Sequence, residues 1–289
     1  MIEEVVKYLA KIYKSKEKDI DISKFESFDS INNKKEVFAV DGGSGIIFDG
    51  GSLIVAKIKI GVVGYKEKNK IFEKVDEYFM SVIDSKNGRI IKFFPDINIA
   101  LNLTKKEIED LPNEARDNIE KIKINELSKK YPDALILADG QRDINLKNVV
   151  SICKTSRAKT KSGRSLLGQL NEMSDKKLKG KKWFYKISDG EYIIKFHELS
   201  KFCYRVLLNE NTNIKQALGL IADYSRDPEI IGYPYPLLKV DKIARLRDDE
   251  KKFENQRFKM FAKKIGLKVE YDEMSTLMHK YMDERAYRR

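Results

Sequence analysis

The chain is poor in the residues that build most redox and soft-metal sites. Among its 289 residues are two cysteines, Cys153 and Cys203, and two histidines, His197 and His279. Two thiols in a chain this long make no disulfide framework, so a reducing, cytoplasmic compartment is expected. Neither cysteine has metal-ligand spacing, and both read as small buried hydrophobes. His197 sits in a strand-like stretch between Phe196 and Leu199, and His279 in a charged tail. A histidine-based metal site or a Ser-His-Asp triad is therefore not expected. No segment approaches 18 apolar residues, and the amino terminus has no uninterrupted apolar run. Neither a membrane span nor a signal peptide is expected. Internal repeats and low-complexity linkers are also missing. There is no Gly-x-x-x-x-Gly-Lys-Ser/Thr loop to bind ATP.

Charge, by contrast, is abundant. Charged residues make up 35% of the chain, above the usual quarter, and the net charge is +12 with a pI near 9.3. Such a balance favours polyanion partners and salt-sensitive binding. Between Ser151 and Asp189 there are 11 Lys/Arg against 3 Asp/Glu, which is eight of the twelve net charges. Two runs there read as exposed loops or helix ends. They offer Lys159, Lys161 and Arg164, then Lys176, Lys177, Lys181 and Lys182, as DNA contacts. Trp183, Phe184 and Tyr185 follow, and either stack on unpaired bases or form half of a strand's packing.

Hydrophobic content of 42% suffices for a core, and the length suits one large domain or two small ones. Periodicity predicts an amphipathic helix over 2–18 through Ile2, Val5, Val6, Leu9 and Tyr13, then a polar connector over 19–35. Strand 36–41 leads into a glycine-dense turn over 42–51. Strands follow at 53–65, 71–83 and 90–94, the last after an Asn87-Gly88 hairpin turn. A helix over 112–130 turns Ala115, Ile119, Ile122 and Leu127 to one face. Strands at 134–139 and 148–153 come next, the first followed by a short helix-like piece. A helix at 163–174, strands at 183–188, 191–197 and 202–208, and a helix at 212–224 complete the middle. The segment 237–247 reads as a helix start, and 248–289 as a charged helical tail broken near 266–271. A three-strand meander, a helix, a strand and further α/β units is the order of a ribonuclease-H-like fold. The expectation is an α/β protein, with a mixed sheet flanked by helices, insertions and a helical C-terminal tail. Its parts are an N-terminal helix and connector (1–35), a ribonuclease-H-like domain (36–247) with a basic insertion (151–189), and the tail (248–289).

Two aliphatic runs end on an Asp-Gly step: Val37-Phe38-Ala39-Val40-Asp41-Gly42 and Ala134-Leu135-Ile136-Leu137-Ala138-Asp139-Gly140. Runs of this kind read as buried central strands, and a carboxylate ending one emerges at the sheet edge where α/β proteins bind ligands. Glycine after each Asp permits a tight turn or close backbone approach. A third carboxylate, Asp241, follows Gly232-Tyr233-Pro234-Tyr235-Pro236-Leu237. Hard divalent cations take such oxygen ligands, and carboxylates from separate elements suit two-metal phosphodiester chemistry. The helix before Asp139 offers a further ligand. Glu120, which borders the apolar stripe, is preferred to Glu126, with Glu109 third. Lys154 either stabilises charge on a phosphate or is a strand-end lysine reaching solvent.

These motifs resemble the NurA nuclease family, DNA-end-processing enzymes of archaea and bacteria. Phe38 to Ser44 is similar to that family's first metal motif, and Leu137 to Gly140 to its second. Ser151 to Ser156 is similar to the strand carrying a Lys after the second Asp. Tyr233 to Leu237 with Asp241 resembles its late Tyr-Pro-x-Pro-Leu motif. The resemblance covers about residues 36–247. It implies a Mn²⁺-dependent deoxyribonuclease (with Mg²⁺ as alternative), acting 5′–3′ on DNA ends and as a single-strand endonuclease. It further implies a homodimer and a hexameric ATPase partner, HerA, in end resection and repair. Asp41, Glu120, Asp139 and Asp241 would bind metal, and Tyr233 would complete the site. The departure is Asp241, where better-known members have His; a carboxylate binds Mn²⁺ but cannot act as an imidazole acid. Two other readings stand beside this one. An actin- or sugar-kinase-like ATP-binding protein would cradle phosphate on Asp41 to Gly45. A non-catalytic DNA-binding adaptor would need only the basic stretch 151–189.

Overall fold

The structure is a computed structural model. It describes residues 2–13, 20–32, 34–97, 101, 103–140, 146–155, 158–159, 165–178 and 180–267, without the side chains of residues 9, 11–13, 175 and 177. Lys161, Arg164, His279, the helix-like piece after Asp139, the Lys177 side chain and the tail beyond Leu267 lie outside the described residues.

Six helices and ten strands are formed by the described residues. They run α1 (Ile2–Tyr13), β1 (Phe25–Ser27), β2 (Glu36–Asp49), β3 (Leu53–Lys66), β4 (Asn69–Ser85), β5 (Gly88–Phe94), α2 (Leu111–Lys130), β6 (Leu135–Asp139) and β7 (Val149–Cys153). Then come α3 (Leu166–Lys177), β8 (Trp183–Ser188), β9 (Glu191–Lys195), β10 (Tyr204–Leu208), α4 (Ile214–Asp223), α5 (Tyr235–Ala244) and α6 (Asp248–Lys264). The strands make one mixed sheet in the order β1-β8-β9-β10-β7-β6-β2-β3-β4-β5. β6 and β7 are parallel, with Asp139 opposite Ile152, while β7 to β10 and β1 pair antiparallel. The meander β2-β3-β4 lies beside the strand that follows α2, as expected of a ribonuclease-H-like sheet.

Three expectations need correction. The glycine-dense stretch 42–51 is not a turn, because β2 continues to Asp49 and the chain reverses only at 50–52. Gly42, Gly43 and Gly45 do not have positive φ. Their missing Cβ serves close packing instead: one on Gly43 would strike the Ala244 carbonyl, and one on Gly45 the Leu246 side chain. The connector 19–35 is not without structure. It holds β1, which pairs with β8 in the register Phe25 opposite Tyr185. The helix predicted from residue 237 begins at Tyr235. Pro236 falls in its first turn, where a missing N–H forfeits no helical bond.

By their internal contacts the residues form two compact units. The first comprises 1–39, 64–71 and 126–239. Its core includes Ile20, Leu170, Trp183, Tyr185, Ile193 and Cys203. Phe25 packs edge-on against Trp183 and Tyr185, with ring centroids 5.0 and 5.1 Å apart. Trp183, Phe184 and Tyr185 are all buried, so they pack a strand and do not stack on bases. Cys153 and Cys203 are buried and not joined in a disulfide, as expected.

The second unit comprises 40–63, 72–125 and 240–289. Here α6 is fastened to the sheet by charge. Lys57, with its side chain 5% exposed, lies 2.9 Å from Glu250 and 3.1 Å from both Glu77 and Glu254. Burial alone would lower the Lys57 pKa, but the three carboxylates outweigh it and raise it. For Glu250, burial would raise the pKa, but hydrogen bonds from Lys57 and Lys59 prevail and hold it below 4.5. Its contribution to stability is therefore present above pH 4.5 and fades as pH falls through the lowered folded value. Lys57→Ala leaves these carboxylates without their shared cation and should cost about 3 kcal/mol in denaturant unfolding. The gap between wild type and variant should shrink as pH drops below 4.5.

Candidate metal centre

Asp41, Asp139 and Asp241 come from three distant stretches of sequence. Each offers a carboxylate oxygen, and these oxygens lie within 4.8 Å of one another. Asp139 is the last residue of β6, as its motif predicts. Gly140 turns the chain with φ +78°, a conformation that L side chains rarely adopt. Asp41 is not at a strand end but inside β2, half-buried, where its Oδ1 accepts a 2.8 Å hydrogen bond from the Gly42 amide. Asp241 lies past the middle of α5, so it does not cap a helix start. The two Asp-Gly glycines thus serve different ends. Gly140 makes a turn, whereas Gly42 leaves room for α2: a Cβ there would meet Glu120 Oε1.

Glu120 is 1% exposed, whereas Glu126 faces solvent and Glu109 sits exposed in a 3₁₀ turn. Glu120 is not one of the three clustered carboxylates, but it lies beside Gly42, one residue from Asp41. Arg116 connects the two: its Nη1 donates to the Gly42 carbonyl at 3.3 Å, and its Nε lies 3.6 Å from Glu120 Oε1.

Two further cations attend the aspartates. Lys154 Nζ, just past β7, donates to Asp139 Oδ2 at 2.7 Å and stands 5.2 Å from the centroid of the Tyr233 ring. Lys154 is therefore directed to the carboxylate cluster and is not merely a strand-end lysine. Tyr233 is buried, its ring 5.4 Å from that of Tyr204, and burial pushes the Tyr204 phenol up to about 12. Arg245, one residue beyond α5, donates from Nη2 to Asp241 Oδ2 at 2.7 Å. Sequence reading missed Arg116 and Arg245. Their signal was the i,i+4 spacing to Glu120 and Asp241 on helical segments.

The basic stretch is divided. Lys159 and Lys181 are exposed. Lys176 is exposed and pairs with Glu172 at 2.9 Å. Lys182 is largely buried and held 3.2 Å from Glu198. His197 is structural, its Nδ1 accepting from the Leu199 amide at 3.1 Å. Asp41 to Gly45 lie within β2 and form no phosphate-cradling loop.

The donor set fits a hard divalent cation. The cluster consists of carboxylates alone, without thiol or imidazole, and oxygen ligands of this kind suit Mg²⁺ or Mn²⁺. Its negative charge already draws basic side chains onto two of its members.

Among solved structures, the chain is similar to the NurA nuclease from Sulfolobus solfataricus, with a TM-score of 0.64 and 14% identity, over 91% of this chain and 95% of that one. Another NurA structure aligns with a TM-score of 0.47 and 12% identity, over 84% and 93% of the two chains. The catalytic domain of human endonuclease V aligns with a TM-score of 0.43 and 13% identity, over 92% and 99%. No protein-family model matches the sequence, and no curated protein matches it. No helix among the described residues is long and apolar enough to cross a membrane. The likeness to the Sulfolobus nuclease extends over nearly the whole of both chains, and what it shows is a shared fold.

Proposed function

We propose that this chain is a divalent-metal-dependent nuclease that hydrolyses DNA phosphodiesters. The observation that carries the reading is the meeting of Asp41, Asp139 and Asp241 within 4.8 Å. These are the positions that the motifs single out, and they sit on a fold shared with a nuclease. Asp41, Asp139 and Asp241 would hold the cation, with Glu120 as the neighbouring further ligand. Bound Mn²⁺ or Mg²⁺ would supply Lewis acidity and a more acidic water. Lys154 offers a positive charge for the negative charge that develops on the phosphate. Tyr233 packs against Lys154 and limits where its ammonium reaches. With Asp241 where better-known NurA proteins carry His, no imidazole acid serves at that position.

The finer reading follows the resemblance. The enzyme would process DNA ends, 5′–3′ and with single-strand endonuclease activity, as a homodimer driven by a HerA-like hexameric ATPase. A separate motor is consistent with the lack of an ATP-binding loop in this chain. Co-purification with such an ATPase, and ATP-dependent digestion only when the two are mixed, is the expected result. A monomer by light scattering that forms no such complex would count against it.

Asp41→Ala and Asp139→Ala should each abolish Mn²⁺-dependent cleavage of end-labelled DNA while leaving the melting temperature near wild type. Asp241→Asn should raise the Mn²⁺ concentration needed, because the amide loses the charge that attracts a hard cation. Asp241→His should keep partial activity. Near-normal cleavage by the Asp41 or Asp139 variant would remove the metal-site reading.

For DNA binding, the exposed lysines carry the expectation. Lys176→Gln with Lys181→Gln should weaken affinity across sequences. The slope of log K against log salt should fall by roughly 0.7–0.9 for each phosphate that is no longer neutralised. Lys182→Gln should instead lower stability, since it loosens the pair with Glu198. An unchanged salt slope in the double variant would make the pair a solvated face.

A further inference from the structure

Two carboxylates of the cluster are each paired with a basic side chain. Lys154 binds Asp139 and Arg245 binds Asp241, both at 2.7 Å. The two cations are not buried: their side chains are 46% and 66% exposed. Asp139 and Asp241 are more enclosed, at 15% and 23%. A pair of this kind places a solvated cation over a more recessed anion. Exposed pairs add little stability, so exchanging one partner is cheap.

Arg245 is well placed for such an exchange. Its backbone amide donates to the Asp241 carbonyl at 3.0 Å, which closes the last turn of α5. Beyond it the chain leaves helical structure for three residues, 245–247, before α6 begins. Asp241 is fixed by the helix, while the long Arg245 side chain starts where the helix ends. The guanidinium is also the group best matched to phosphate, which it binds through paired N–H donors.

We infer that Arg245 is a stand-in cation. It neutralises Asp241 while no divalent ion is bound, and it yields the carboxylate when one binds. The released guanidinium then takes a phosphate of the DNA strand. This inference rests on the metal-dependent nuclease reading. It adds a residue that the motifs do not mark, and it assigns that residue two successive anionic partners. Arg245 acts on the metal by competition and on the substrate by direct pairing, so its removal should move the two affinities in opposite directions. A purely structural salt bridge would not: its removal would loosen Asp241 and weaken metal binding.

The test uses the full chain. Mn²⁺ is titrated calorimetrically into DNA-free wild type, Asp241→Ala, Arg245→Gln and Arg247→Gln. Arg247 is a matched control, a 72% exposed arginine two residues on that pairs with Asp249. Arg245→Gln should bind Mn²⁺ about two- to fivefold more tightly than wild type, the range set by the weak exposed pair it removes. Under saturating Mn²⁺, its KM for DNA should rise. The salt dependence of its kcat/KM should flatten by about 0.7–0.9 in log–log slope, the equivalent of one phosphate. Arg247→Gln should change neither. Weaker or unchanged Mn²⁺ binding by Arg245→Gln overturns the inference. So does equal tightening in Arg247→Gln, which would reveal only a long-range charge effect. If wild type and Asp241→Ala both fail to bind Mn²⁺, the metal reading itself falls and takes this inference with it, a result separable from the other two.

Discussion

Three ionised carboxylates held within a few ångströms repel one another unless positive charge or hydrogen-bond donors lie among them. At an effective dielectric near 20, two like charges 4 Å apart repel by about 4 kcal/mol. Asp41, Asp139 and Asp241 are held within 4.8 Å of one another, so the fold must offset that repulsion. Lys154 pairs with Asp139, Arg245 pairs with Asp241, and the Gly42 amide donates to Asp41. The surrounding structure is arranged around this requirement. Each aspartate is carried on a regular element, β2, β6 or α5. On the proposed reading, a divalent ion completes a charge balance that the basic side chains only begin.

Bringing such elements together also demands thin surfaces. β2 contributes Gly42, Gly43 and Gly45, and β3 contributes Gly61. A side chain at Gly61 would press on Val240, Ile243 and Ala244 of α5. The C-terminal half of α5, which bears Asp241, therefore approaches the strands at backbone range. Ser44 adds a hydrogen bond to Asn113 on α2 at 2.7 Å. Small residues set the distance, and polar contacts on α2 set the registry.

Much of this architecture was readable from residue patterns. The aliphatic runs before Asp41 and Asp139 announced central strands because burial on both faces demands unbroken apolar sequence. Helix α2 and the Asn87-Gly88 hairpin followed from periodicity and turn chemistry, and the enclosed position of Glu120 from its place beside the apolar stripe. What failed had physical causes. Clustered glycines normally mean a turn, and here they mean contact, a distinction that depends on what packs against them. β1 spans three residues in a polar stretch and exists because Phe25 and Phe28 have aromatic partners on β8. Arg116 and Arg245 were missed because an arginine on a helical segment ordinarily faces water. Only the fold shows that Arg245 pairs with a member of the aspartate cluster and that Arg116 lies between Gly42 and Glu120.

The buried charges beneath α6 respond to heat differently from the apolar core. Removing ions from water becomes less costly as temperature rises, because their hydration is entropically unfavourable. Hydrophobic stabilisation per unit area levels off over the same range. Lys57, bonded to three glutamates and 4% exposed, therefore holds a growing share of the unit's cohesion on warming. The segment that follows Asp241 and Arg245 is thus moored by the kind of bond that tolerates heat, and α6 is a thermal anchor for the stretch of chain that carries Asp241.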